Sequence, residues 1–151
     1  MKILVDADAC PVKDIIVQTA RRYSLQVLMF IDTSHLLEDG YSEVITVDKA
    51  RDSVDIALIN KAGAGDIVVT QDYGVATMAL SKKAYSINQN GLVYNKDNID
   101  RLLFERFLSQ KIRRSGGKTS NQRKRSREDD DRFKSAFTRL VEQALSSCSG
   151  E

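Results

Sequence analysis

The chain has one proline, one histidine, no tryptophan and two cysteines in 151 residues. Each shortage excludes something. A single histidine, His35, rules out any site built on two imidazoles and leaves a serine–histidine triad unconvincing; in DTSH it reads as a loop residue. Cys10 and Cys148 stand at opposite ends of the chain without metal-type spacing, so neither a disulfide framework nor a zinc site is expected, and a reducing cytoplasm fits. The apolar run after Met1-Lys2 is too short for a signal-peptide core, and no stretch approaches the roughly 20 apolar residues that span a bilayer. The expectation is a soluble, cytoplasmic protein with no membrane partner. A net charge of +2 excludes a uniformly basic or acidic surface, so any charged partner must be met locally.

What remains is ordinary for one globular domain: 42% apolar residues in a chain long enough for a sizeable core. Short runs rich in isoleucine and valine recur, ILV at 3–5, VLMFI at 27–31, VITV at 44–47, IVVT at 67–70 and YSI at 85–87. They read as strands buried on both faces. Between them PVKDIIVQTARRY (11–23) and SVDIALINKA (53–62) carry helical spacing, with Pro11 in the first turn of one, Asp52 as N-cap of the other, and Gly63 and Gly65 closing it. Repeated βαβ units predict an α/β fold, a three-layer α/β/α sandwich around a mainly parallel sheet. After Ser86, residues 99–112 place Leu102, Leu103, Phe107 and Leu108 on one stripe, predicting a helix capped by Asp97 or Asn98 and packed on the sheet. Residues 113–127 contain no apolar residue and no acid, and read as a flexible basic arm. A closing helix follows at about 129–146, with acids over its first turn and Phe133, Phe137, Leu140, Val141 and Ala144 on one face.

Acids follow four of the strands: Asp6 and Asp8, Asp32, Asp48, and Asp72. In a parallel sheet these ends share one edge, and ligands bind outside it. Helices in βαβ units start from that edge too, so Asp55 reaches the same rim, whereas Asp66 precedes its strand and belongs at the opposite one. Two carboxylates about 4 Å apart repel by roughly 4 kcal/mol at an effective dielectric of 20, so a positive charge is expected among them. Lys13, Lys49 and Arg51 are side-chain candidates. Hard divalent cations prefer oxygen shells, which favours Mg²⁺ or Mn²⁺ held by Asp6, Asp8 and Asp72 with water, polarising a phosphodiester and activating its nucleophile.

Aspartate is also frequent after strands because it suits turns and caps. Asp32 and Asp48 read that way, and Asp14 as a favourable first-turn charge. DAD and TQD leave more acid at a strand end than capping requires, so Asp6, Asp8 and Asp72 read as catalytic; both readings of Asp55 stay open. Cys10 lacks a defined base and reads as a packed thiol. RSGGKT fails as a phosphate loop, because Ile112 stands where a glycine is needed and a helix precedes it. Tyr73 and Tyr85 read as core or rim aromatics. Lys111, Arg113, Arg114, Lys118, Arg123, Lys124, Arg125 and Arg127, with Lys13, form a phosphate-neutralising set whose binding would be salt-sensitive and blind to sequence. With an acid-lined rim, the expected partner is nucleic acid, RNA foremost.

The motifs DADACPVK (6–13), DSVD (52–55), GDIVVTQDYGVA (65–76) and the later GG…DDRF resemble the YaiI/YqxD family of bacterial proteins, placed among PIN-like domains. The likeness covers nearly the whole chain. It implies an α/β/α sandwich with the acidic pocket of a metal-dependent ribonuclease, in which Asp6 or Asp8 matches the first-strand acid, Asp72 the TxD-type acid and Asp55 a central helix acid. The segment KTSNQRKRSRE departs from the family by lacking the proline often seen after the paired glycines. Two rivals stand beside the nuclease. One is an RNA-binding or regulatory protein that keeps the fold without turnover. The other is a haloacid-dehalogenase-like phosphatase with Asp6 as nucleophile and Asp8 as acid; it has Cys10 at the expected Thr or Val position, and Asp66 on the wrong side of its strand.

Overall fold

The apolar runs become a five-stranded sheet, all parallel among the described residues, in the order β3-β2-β1-β4-β5. The computed structural model describes residues 1–32, 38–48, 53–117 and 123–149. His35, Lys49, Arg51, Asp52 and Lys118, singled out in the sequence, lie outside the described residues. The strands are β1 (Lys2–Asp6), β2 (Gln26–Asp32), β3 (Glu43–Val47), β4 (Ile67–Val69) and β5 (Tyr85–Ile87). The helices are α1 (Lys13–Arg22), α2 (Val54–Lys61), α3 (Tyr73–Ser81), α4 (Lys96–Arg114) and α5 (Arg127–Ser149).

Alternation along each strand sorts the core into two layers. Ile3, Val5, Val27, Met29, Ile67 and Val69 face α1 and α5, whose Ile16, Ala20, Phe133, Phe137 and Val141 complete that side. Leu4, Leu28, Phe30 and Val68 face α2 and α3, against Leu58, Val75 and Ala79. Residues of both parities are buried, which is why the strands read as continuous apolar runs. Phe133 and Phe137 are fully buried and stacked with ring centroids 5.2 Å apart. Burying each is worth about 1.5–3 kcal/mol, enough to hold the last helix on the sheet.

Local expectations shift in four places. Pro11 lies in a turn ahead of α1, whose first bond runs from Ile16 N–H to the Val12 carbonyl. The described cap of α2 is Ser53, which accepts from Ile56 N–H, and its C-cap is Ala62 in extended conformation. Asn95 caps α4, with Asn98 returning a bond to the Asn95 N–H, because the helix starts earlier than its apolar pattern. Finally, α4 packs on α3 and not on the sheet. Its Ile99 and Leu102 join Ala76, Leu80 and Tyr94, while Leu103, Phe107 and Leu108 are exposed. The contact with α3 runs from Ile99 and Leu102 to Arg106, which lies over the Tyr73 ring.

The basic stretch is also partitioned. Arg113 and Arg114 end α4, and Arg127 opens α5. No described helix is long and apolar enough to cross a membrane.

A candidate acidic site between β1 and β4

Strand order reverses between β1 and β4: β1 leads through β2 to β3 on one side, and β4 leads to β5 on the other. The two helices that follow such neighbouring strands leave on opposite faces and open a crevice at their carboxyl ends. Asp6 ends β1 and Thr70 follows β4 at this point. The Thr70 hydroxyl donates to Asp6 Oδ2 at 3.3 Å and accepts the Asp72 N–H at 3.0 Å, tying both strand ends together. Asp72 caps α3, its Oδ1 accepting from Gly74 N–H at 2.8 Å and Val75 N–H at 3.2 Å. Thus Asp72, read from the sequence as surplus to capping, does cap a helix, with one of its two oxygens.

Asp8 sits in the turn after β1, where Cys10 N–H returns to the Ala7 carbonyl and Ala9 adopts a left-handed φ of 58°. A non-glycine residue there costs roughly 1–2 kcal/mol, strain located at the mouth of the crevice. Lys13 Nζ donates to the Ala7 carbonyl at 3.4 Å, steadying this turn. Asp6, Asp8, Cys10, Thr70, Gln71 and Gln89, together with Val69, line a hollow of about 280 Å³ that is partly open to solvent.

The acids lie close enough to bear on one another's charge. The Asp6 carboxyl is pushed up to about 6, first by burial, then by the charge of Asp55, with smaller contributions from Asp8 and Asp72; only the Thr70 hydrogen bond opposes them. Asp55, in the first turn of α2, is raised by burial and by Asp72. Four acids separated by up to 66 residues therefore share one field. Burial raises the Cys10 thiol, consistent with a packed and unreactive cysteine. Asp32 is buried at the end of β2 and Asp48 exposed beyond β3. Asp66 lies at the opposite edge, bound to Lys2 Nζ at 2.7 Å and to the Lys2 and Gly63 N–H groups. A phosphatase needing a late acid beside Asp6 finds none in Asp66.

Among the described residues no three acid, histidine or cysteine side chains are arranged to enclose a metal ion. The donor set still suits Mg²⁺ or Mn²⁺ in the water-rich mode, in which one or two carboxylates bind and water or substrate supplies the other oxygens.

Two arginine-bearing hollows adjoin the acids. On one side a groove of about 1350 Å³, open to solvent, runs from Asp6 and Asp72 to Arg106 and Arg113 of α4. On the other, Gln89 and Asn90 lead to Arg123 and Arg125. Gln71 lines all three hollows and donates to Gln89. Arg113 was expected to contact phosphate; Arg106 was not. It lies over the Tyr73 ring at 5.9 Å, and Tyr73 meets Tyr94 edge to face. The spacing of Leu102, Arg106, Ser109 and Arg113 along α4 was the signal for it, hidden beside a more conspicuous apolar stripe.

The arm was read as lacking acidic compensation, and here the structure differs. Arg123 pairs with Asp129 at 2.6 Å. Arg125 pairs with Asp130 at 2.7 Å and donates to Asn90 Oδ1 and the Gln89 carbonyl. The first turn of α5 supplies the acids that the run 113–127 does not contain. Asp129, which also binds Arg132 and Ser126 N–H, is held well below the usual carboxylate range, chiefly by the Ser126 backbone bond.

A family model described as "Uncharacterized BCR, YaiI/YqxD family" matches residues 4–143. A UPF0178 protein of Ruminiclostridium cellulolyticum is 66% identical over 141 residues, 93% of this chain and 92% of that protein. UPF0178 proteins of Clostridium kluyveri and Natranaerobius thermophilus are 52% and 48% identical, covering 93% and 97% of this chain and 93% and 100% of their own lengths. No solved structure matches the chain.

Proposed function

The chain belongs to the YaiI/YqxD family of uncharacterised proteins, and on that premise we propose that it is a PIN-like, metal-dependent ribonuclease of the cytoplasm. The observation that carries this reading is the acidic crevice between β1 and β4, from which a groove runs to Arg106 and Arg113. An acidic centre repels a polyanion unless a cation bridges them, and Arg106 and Arg113 on the α4 wall match the phosphates of a strand laid along the groove. Asp6 and Asp8 or Asp72 would hold Mg²⁺ or Mn²⁺, which supplies Lewis acidity and an activated water for phosphodiester hydrolysis. Asp55 raises the negative potential at the same point. Arg106 and Arg113 orient substrate phosphates from the α4 side, and Tyr73 offers a ring at the groove wall. Thr70 fixes the Asp6 carboxylate.

The test is cleavage of labelled single-stranded RNA by wild-type, Asp8→Asn and Asp72→Asn proteins, with Mn²⁺ or EDTA. Cleavage only by wild-type with metal, with folding retained in the variants, supports the proposal; equal cutting by all three proteins removes it. Arg106 and Arg113 along the groove equally suit a second reading, an RNA-binding protein without turnover. RNA retained intact at low salt, and indifferent to Asp8→Asn, would select it.

A further inference from the structure

The face of α4 opposite the groove has a pattern of its own. Asp97, Asp100, Phe104, Phe107, Lys111 and Arg114 follow at alternating intervals of three and four residues, the spacing at which one stripe of a helix meets a partner helix. All six are exposed, Phe104 at 59% and Phe107 at 51%, with exposed Leu103 and Leu108 on the shoulders. Helix α4 buries only Ile99 in its own fold. An apolar stripe of this kind, rimmed by charge, marks an interaction surface.

The order of charge along the stripe identifies the partner. It runs acid, acid, phenylalanine, phenylalanine, base, base, and so is complementary to itself when reversed. We infer that α4 is a homodimerisation helix, two copies packing antiparallel about a twofold axis level with the Glu105–Arg106 peptide. In that register Phe104 of one copy meets Phe107 of the other. Asp100 meets Lys111, Asp97 meets Arg114 and Leu103 meets Leu108. Each contact occurs twice, as an isologous interface requires. A parallel pair would set aspartate on aspartate and lysine on lysine. Acids first and bases last also suit the dipole of a lone helix, but the dipole dictates neither the three-four spacing nor the phenylalanines between. A membrane surface would favour bases along the polar margins over acids at one end, and Asp97 and Asp100 would repel nucleic acid. The 19-residue helix is about 28 Å long, so the seam spans about five turns. Pairing would steady the wall that carries Arg106 and Arg113 while leaving both grooves open on the outer sides.

The experiment is sedimentation equilibrium and light scattering on the full chain. The expected mass is twice 16.9 kDa, falling to 16.9 kDa in Phe104→Glu/Phe107→Glu with the far-ultraviolet dichroism unchanged. Asp100→Lys alone and Lys111→Asp alone should each weaken association roughly fivefold or more, because each sets like charges together twice. The double variant should restore it, which a loss of folding in either single variant would not allow. A wild-type monomer at about 100 µM overturns the inference. So does a dimer indifferent to the phenylalanine changes, a double variant that fails to recover, or a monomer whose binding to anionic vesicles is lost on the same phenylalanine changes.

Discussion

The Thr70 hydroxyl donates to the Asp6 carboxylate across 3.3 Å, and this single bond opposes the burial and the three negative charges that push Asp6 upward. Thr70→Val removes it while keeping the shape of the side chain. The Asp6 pKa is then expected to climb above about 6, read by carbon NMR titration of labelled aspartate. The Asp72 N–H loses its acceptor in the same change, so stability should fall by about 1 kcal/mol.

Asp6 is expected to make the stability of the fold pH-dependent. Its folded pKa of about 6 lies above the ordinary 3.8, so between those values the folded chain binds the proton more tightly than the unfolded chain. Stability contributed by this group therefore rises as pH falls from 7 towards 4, and the full penalty applies above pH 6. Asp6→Asn should stabilise the metal-free protein in urea at pH 7.5, with the gain fading by pH 4. Equal effects at both pH values would remove the electrostatic account.

Capping and charge separate at Asp72. Asparagine caps as well as aspartate, whereas alanine does not, so Asp72→Ala should cost about 1 kcal/mol and Asp72→Asn little. If the acid serves the proposed site, both variants lose RNA cleavage alike. Thermal melts alongside the cleavage assay distinguish the two roles.

Arginines of the basic stretch should divide by experiment as they do in space. Arg125 is mostly enclosed by Asp130, Asn90 and the Gln89 carbonyl, so Arg125→Ala should lower stability by about 1–2 kcal/mol. Arg113→Ala should reduce the salt slope of RNA binding by about 1. An unchanged slope would take Arg113 out of the interface.

The strands were legible because a sheet covered on both faces demands unbroken apolar runs, and the acids were legible because parallel strands deliver their carboxyl ends to one edge. Both follow from local sequence and a single topological rule. Sequence alone thus determined the layered α/β architecture, the five strands and the rim on which Asp6, Asp8, Asp55 and Asp72 meet. Tertiary structure decided which side of α4 is buried, since Leu102 and Leu103 are adjacent in an amphipathic pattern and only the position of α3 selects between them. It likewise decided that Arg123 and Arg125 are answered by Asp129 and Asp130, because the pairing depends on how the chain turns into α5 and not on the composition of the stretch before it.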